Sequence, residues 1–231
     1  MLKTIWKMII PNFIKNFIKI FYLKKLFFNS LIDYSTINNL CLPHIIKYFY
    51  LWKNSCLGKD ITIFWKFYIW DYSYIWDWWK INWNDKFWTK IWKYCAIAHN
   101  LYIISVNNHY YNLLTINDKL LKKIWKKTKI TGGNVEIWND VWIWANVTIL
   151  YWVNIWNWSI IWAWSLVNRD IPAYSIAVWN PARVIKYRFS KEQISYLENS
   201  KWWNLSEDKI SVIYKNFNKK YSIKDSLFLE K

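Results

Sequence analysis

Glycine is nearly missing from this chain of 231 residues: there are 3, where average usage of about 7% gives roughly 16. Proline is scarce too, at 4, so the usual material for tight bends is absent. The three cysteines, Cys41, Cys56 and Cys95, have neither CxxC nor Cys/His ligand spacing. That excludes a disulfide framework and a zinc site by pattern, and leads us to expect no metal and free thiols in a reducing compartment, the cytoplasm. No run of about 18 apolar residues exists to span a bilayer, and Met1 to Pro11 makes a poor signal peptide, with a short apolar run and no small-residue cleavage site. Nucleophile elbows, paired carboxylates and phosphate-cradling glycine loops are also lacking. Acidic residues are few, 15 against 32 Lys and Arg, for a net charge of +17. Such charge permits a polyanionic partner. Because Lys, Asn, Ile, Tyr and Phe are abundant together, as under biased codon usage, and no Lys/Arg cluster stands out, we read it as compositional and expect no nucleic-acid partner.

What is present is tryptophan, 22 of them, and a repeat. Ile137, Ile143, Ile149, Ile155, Ile161 and Val167 stand six apart without a slip. The same step links Ile91, Ile97 and Ile103, and Leu57, Ile63, Ile69, Ile75 and Ile81. A helix cannot keep every sixth residue on one face, whereas a short strand followed by a corner can. Two residues before the later rungs stand Val135, Val141, Val147, Val153, Ser159 and Ser165, the period-two partners that a strand turns to the same side. Three hexads make one coil, and stacked coils bury an aliphatic ladder.

Corners of such a coil favour Gly, Asn or another small residue straight after the aliphatic, where a left-handed backbone is expected. Across the fourteen rungs named, seven of the following residues are Trp (70, 76, 92, 138, 144, 156 and 162) and one is Gly58. The Trp excess thus falls where Gly is physically demanded. The economical explanation is that most of these Trp letters stand for Gly, from a gene that reads UGA as glycine but was translated with UGA as tryptophan.

Read with that correction, Asn134-Val135-Glu136-Ile137-Trp138-Asn139-Asp140-Val141-Trp142-Ile143-Trp144, Ile161-Trp162-Ala163-Trp164-Ser165-Leu166-Val167, Asp170-Ile171-Pro172-Ala173-Tyr174 and Trp179-Asn180-Pro181-Ala182-Arg183-Val184-Ile185 resemble the hexapeptide-repeat acyltransferases. Among them the xenobiotic, CatB- and Vat-like, O-acetyltransferases are most similar. Eight of the nine Trp between 134 and 182 fall where that family has Gly or a small residue, and the ninth, Trp142, falls where the family itself has Trp. Arg188-Phe189 and Lys201-Trp202-Trp203-Asn204 resemble the subfamily's C-terminal helical tail, so Trp142, Trp202 and Trp203 are the candidates for genuine tryptophan. The resemblance implies an all-β solenoid, a left-handed parallel β-helix, over 57–186. An N-terminal helical capping segment at 1–56 and a C-terminal helical tail at 187–231 complete the expected organisation.

Acetyl transfer to a hydroxyl needs a base at the acceptor. Of His44, His99 and His109, only His109 lies at the start of the long break in the hexad count, 104–136, which must leave the coil as a loop. The resemblance places its catalytic histidine in this Asn-His context, and an imidazole titrating near neutrality suits a base for direct transfer. His99 reads as a corner residue and His44 as structural. The resemblance further implies acetyl-CoA as co-substrate, held by Trp142, Ala145, Ala163, Asn168, Arg169, Arg183 and Lys186. The family more often has Thr-Lys or Val-Lys where this chain has Asn168-Arg169, which keeps the cation and loses the hydroxyl. It implies a homotrimer with CoA between subunits, and a small-molecule or glycan acceptor: a sugar hydroxyl, or alternatively an antibiotic of the streptogramin or chloramphenicol type. A non-catalytic basic scaffold at a membrane surface is the alternative outside enzymology. Ile10, Phe13, Ile14, Phe17, Ile18 and Phe21, with Lys15 and Lys19, give residues 1–30 a basic amphipathic pattern that caps the coil or touches a membrane.

Overall fold

A computed structural model describes residues 49–51, 55–57, 62–63, 67–78, 80–81, 86–107, 113–125 and 131–221. They form two units, Met1–Lys186 and Tyr187–Lys231, by their internal contacts.

In the first unit, short parallel strands stack into three sheets. One holds β1 (Phe49–Leu51), β4 (Phe67–Ile69), β7 (Thr89–Ile91), β12 (Val135–Ile137) and β15 (Asn154–Ile155) in that order. The second runs from β2 (Cys56–Leu57) through β5 (Tyr74–Ile75), β8 (Ala96–Ile97), β13 (Trp142–Ile143), β16 (Ile160–Ile161) and β18 (Ser175–Val178) to β19 (Arg183–Tyr187). The third holds β3 (Thr62–Ile63), β6 (Lys80–Ile81), β9 (Tyr102–Ile104), β14 (Thr148–Leu150) and β17 (Leu166–Val167). Among the described residues strands begin at Phe49, ahead of the expected boundary at 57, because the register Phe49↔Phe67 already supplies one more coil.

The period of six is the cause of this arrangement. Ile137 pairs with Ile155, Ile143 with Ile161 and Ile149 with Val167, so each rung stands over the next after one three-hexad coil. Side by side, these rungs are fully buried, together with Val135, Val141, Val147 and Val153. Serine fills the same inner position where the chain must bond to itself: Ser159 Oγ donates to Trp156 O at 2.7 Å and Ser175 Oγ to Pro172 O at 2.7 Å. Outer corners are tied by an amide relay, in which Asn157 Oδ1 accepts from Asn139 N at 3.0 Å and Asn139 Oδ1 accepts from Lys93 N at 3.2 Å.

Where a corner holds a left-handed residue, it is not where the sequence led us to expect it. It lies three residues after the rung: Tyr72, Trp78, Tyr94, Asn100, Asp140, Asn146, Trp152, Trp158, Trp164 and Tyr174 all have φ between 51° and 64°. The residue directly after the rung is still ladder. Trp138 N donates to Ile155 O at 2.8 Å and Trp144 N to Ile161 O at 2.9 Å, so the chain stays extended there and bends two residues later. Asn and Asp visit the left-handed region readily, but for a bulky residue it costs on the order of 1–2 kcal/mol.

The second unit comprises α2 (Lys191–Ser200) and α3 (Glu207–Tyr221). Ser190 and Gln193 close a capping box on α2, and Phe217 of α3 packs beside Phe189, Tyr196 and Tyr221. Among the described residues no helix is long and apolar enough to cross a membrane.

Candidate active site

One long interruption separates the coils, beside a short one that sets Ile91 22 positions after its partner Ile69. β7 and β12 are hydrogen-bonded neighbours, yet Ile91 and Ile137 are 46 positions apart, where an uninterrupted coil takes 18. The extra chain leaves after β9 and is pinched at its base by a two-stranded antiparallel ribbon, β10 (Val106–Asn107) with β11 (Thr131–Gly132), pairing Val106↔Gly132 and Asn107↔Thr131. The neck is built around two of the few glycines. A Cβ on Gly132 would strike Ser105 O and stand 2.8 Å from the Phe87 ring, and one on Gly133 would stand 2.6 Å from Cε2 of Trp152. Gly133 N donates to Ser105 O at 3.0 Å at the foot of the neck, and Thr131 Oγ1 donates to Asn107 O at 2.9 Å across the ribbon.

Inside the excursion lies one helix, α1 (Asp118–Trp125). Asn117 starts it, its Oδ1 accepting from Leu120 N at 3.0 Å and its carbonyl from Leu121 N at 2.9 Å. No periodicity announced either ribbon or helix, although the Asn before an apolar pair was a readable cap. The exposed lysines of α1, Lys119, Lys122 and Lys123, form the cluster that the linear reading passed over, since Leu and Ile interleave them.

His109 lies outside the described residues, two positions beyond β10. The expected CoA residues are all described. Trp142 sits on β13, 36% exposed, its ring stacked on Trp144 at 4.8 Å. Ala145 and Ala163 occupy the same turn position in successive coils, and Ala145 O accepts from Trp164 N at 3.1 Å. Asn168 and Arg169 are exposed just after β17, at a different corner. Arg183 and Lys186 are exposed on β19, the terminal strand of its sheet, where Arg183 donates to Ala182 O at 2.8 Å. The structure therefore brings Ala145 and Ala163 onto one corner and Arg183 and Lys186 onto one strand, with Asn168 and Arg169 apart.

Other nucleophiles can be judged. Cys95 is fully buried in the coil, and burial pushes its thiol up to about 12, so it stays protonated and inert. His99 sits at a corner, its ring edge-on to Trp76 at 5.3 Å and its carbonyl accepting from Asn146 N. An open hollow of about 370 Å³ between β6 and β9, lined by Trp78, Lys80, Asn100, Leu101 and Tyr102, gathers no acid–base pair. Among the described residues no group of three or more His, Cys, Asp or Glu is placed to hold a metal ion.

Corner tryptophans leave a physical residue of their own. Trp70, Trp92, Trp138 and Trp156 stack in a column with ring centroids 4.6, 5.1 and 5.0 Å apart. The indole N–H groups of Trp92, Trp138 and Trp144 are buried without a hydrogen-bond partner. Each such orphan costs about 1–3 kcal/mol.

No family model matches the chain. It is 42% identical over 78 residues to a chloramphenicol acetyltransferase of Klebsiella aerogenes, 34% of this chain and 37% of that protein. The chain thus spans a little over a third of the length of this relative. Over 126 residues it is 39% identical to a probable macrolide acetyltransferase of Lysinibacillus sphaericus, 51% of this chain and 70% of that protein. Among solved structures, a mutant of AntD, an N-acyltransferase from Bacillus cereus in complex with dTDP and coenzyme A, superposes with a TM-score of 0.56 at 21% identity, covering 80% of this chain and 95% of that one, a likeness of fold. The macrolide relative, covered over more than two thirds of its length, together with the repeat of six that builds the coil, decides the relationship: the chain belongs to the hexapeptide-repeat acetyltransferases.

Proposed function

We propose that the chain is an acetyl-CoA-dependent O-acetyltransferase, built on a left-handed parallel β-helix and working in the cytoplasm as a homotrimer with CoA between subunits. The observation that carries this is the 126-residue match to an acetyltransferase in a chain whose coil has one long break, the excursion that bears His109. His109 takes the proton of the acceptor hydroxyl as its oxygen attacks the thioester carbonyl. The tetrahedral intermediate then collapses, the C–S bond breaks, and the imidazolium returns the proton to the CoA thiolate. Arg183 and Lys186, three positions apart on one exposed strand, and Arg169 offer positive charge to the CoA phosphates. Ala145 and Ala163 leave room along one corner for its arm, Trp142 stands on the strand before that corner, and Asn168 would meet the cofactor from the corner after β17.

For the acceptor we propose a sugar hydroxyl. A 78-residue match covers a third of this chain, which is enough to suggest the group transferred and too little to carry an acceptor pocket with it. The names of the curated relatives favour a second reading, an antibiotic hydroxyl of the chloramphenicol or macrolide kind, and the CatB- and Vat-like subfamily with it. Thiol release from acetyl-CoA over a panel of glycosides and antibiotics separates them. The sugar reading expects turnover with glycosides and none above hydrolysis with the drugs. The reverse favours the antibiotic, and no release with any acceptor favours a non-catalytic scaffold.

We also infer that most corner Trp letters stand for Gly. Two independent strains support it: Trp78, Trp152, Trp158 and Trp164 in left-handed backbone, and three buried indole N–H groups without partners. Peptide mass spectrometry of the native protein tests the inference. Glycine masses at 138, 144, 152, 158, 162 and 164 are expected, and tryptophan masses there end it.

A further inference from the structure

Helix α1 of the excursion turns charged and apolar side chains to solvent together, a pattern that acetyl transfer does not use. Among its described side chains Leu121 alone is buried, at 4% exposure, and anchors the helix. Leu120 and Ile124, four apart and so on one face, are 46% and 61% exposed. Leu114 and Ile116, at 99% and 61%, lead into the same helix. Lys119 and Lys123, also four apart, are exposed alongside, and the sequence continues through Lys126, Lys127 and Lys129. Four large apolar groups in water beside a row of ammonium groups are an uncommon surface. A protein partner fits it poorly, because lysine is depleted from interface cores. An anionic lipid surface fits both components: apolar side chains enter the headgroup boundary while lysines reach up to the phosphates. The net charge of +17 has the matching sign.

We propose that the segment 114–124 of the excursion docks on an anionic lipid surface, with Leu114, Ile116, Leu120 and Ile124 entering it and Lys119 and Lys123 facing lipid phosphates. None of these six residues is a corner tryptophan. One consequence rests on the acetyl-transfer reading: the acceptor is then a sugar hydroxyl on a lipid-borne glycan, delivered to the same excursion that bears His109.

Sedimentation of the full chain with vesicles of phosphatidylcholine, alone or mixed with phosphatidylglycerol, tests the docking. Binding is expected to the mixed vesicles only, and to weaken about fivefold for each lysine in Lys119→Gln and Lys123→Gln. The pair Leu120→Ser with Ile124→Ser is expected to weaken it about tenfold through lost apolar insertion. All these side chains are exposed, so thiol release with a water-soluble acceptor should stay at the wild-type level in every variant. Vesicle binding that is unchanged by the serine pair, equal on both vesicle types, or displaced by a single-stranded oligonucleotide at equal phosphate overturns the docking and leaves acetyl transfer standing. Vesicle binding that responds to the variants in a protein that releases no thiol with any acceptor, soluble or vesicle-borne, removes acetyl transfer and leaves the docking.

Discussion

Along the coil, a residue's place in the hexad decides its environment. Ile143 and Ile149 are sealed inside, Trp144 continues the ladder, and Asn146 and Trp152 bend it. Along the excursion between 104 and 136 nothing repeats, and its described elements are a two-residue ribbon and a helix capped by Asn117. The coil is cooperative, each rung pairing with the one above and the one below, whereas α1 is anchored by Leu121 and otherwise faces water. The difference teaches where acid–base chemistry can reside: the ladder commits its inward side chains to packing, and a break in it is free of that demand.

That contrast can be broken at either end. Ile143→Ala removes a fully buried rung between two coils and should cost about 2–5 kcal/mol, measured as a lower denaturant midpoint. Leu120→Ser in the excursion should cost less than about 0.5 kcal/mol by the same measurement. Similar losses at both sites would mean that the excursion is packed as tightly as the coil. A smaller effect sharpens the coil's own rule. In protein made with tryptophan at 164, which is 73% exposed and has φ 64°, Trp164→Gly should stabilise by about 1 kcal/mol, because little packing is lost and left-handed strain is relieved. The same change at Asn146, φ 60°, should gain almost nothing, since asparagine tolerates that backbone.

The coil was legible because periodicity is a global signal: Ile137 through Val167 declare six without interruption, and their burial follows. The corner was read two residues too early. Trp occupies both the first and third positions after Ile155 and Ile161, so composition could not tell ladder from bend, and only the bonds from Trp156 and Trp162 into the next coil distinguish them. The excursion was legible as a gap and its contents were not. The β10–β11 ribbon depends on Gly132 meeting the backbone at Ser105, a contact 27 positions away that leaves no mark on local sequence. Of the expected site, Ala145 with Ala163 and Arg183 with Lys186 fall into two pairs, while Asn168 and Arg169 lie at another corner and His109 lies outside the described residues.

Thiol release from acetyl-CoA by the full chain and by His109→Ala, with the best acceptor of the panel, tests most directly that the excursion carries the chemistry and the coil only holds the donor. The account predicts that kcat falls by about a hundredfold or more, as loss of a general base does. KM for acetyl-CoA should stay within about twofold and the coil's circular dichroism should be unchanged. Equal release by the two proteins would contradict it.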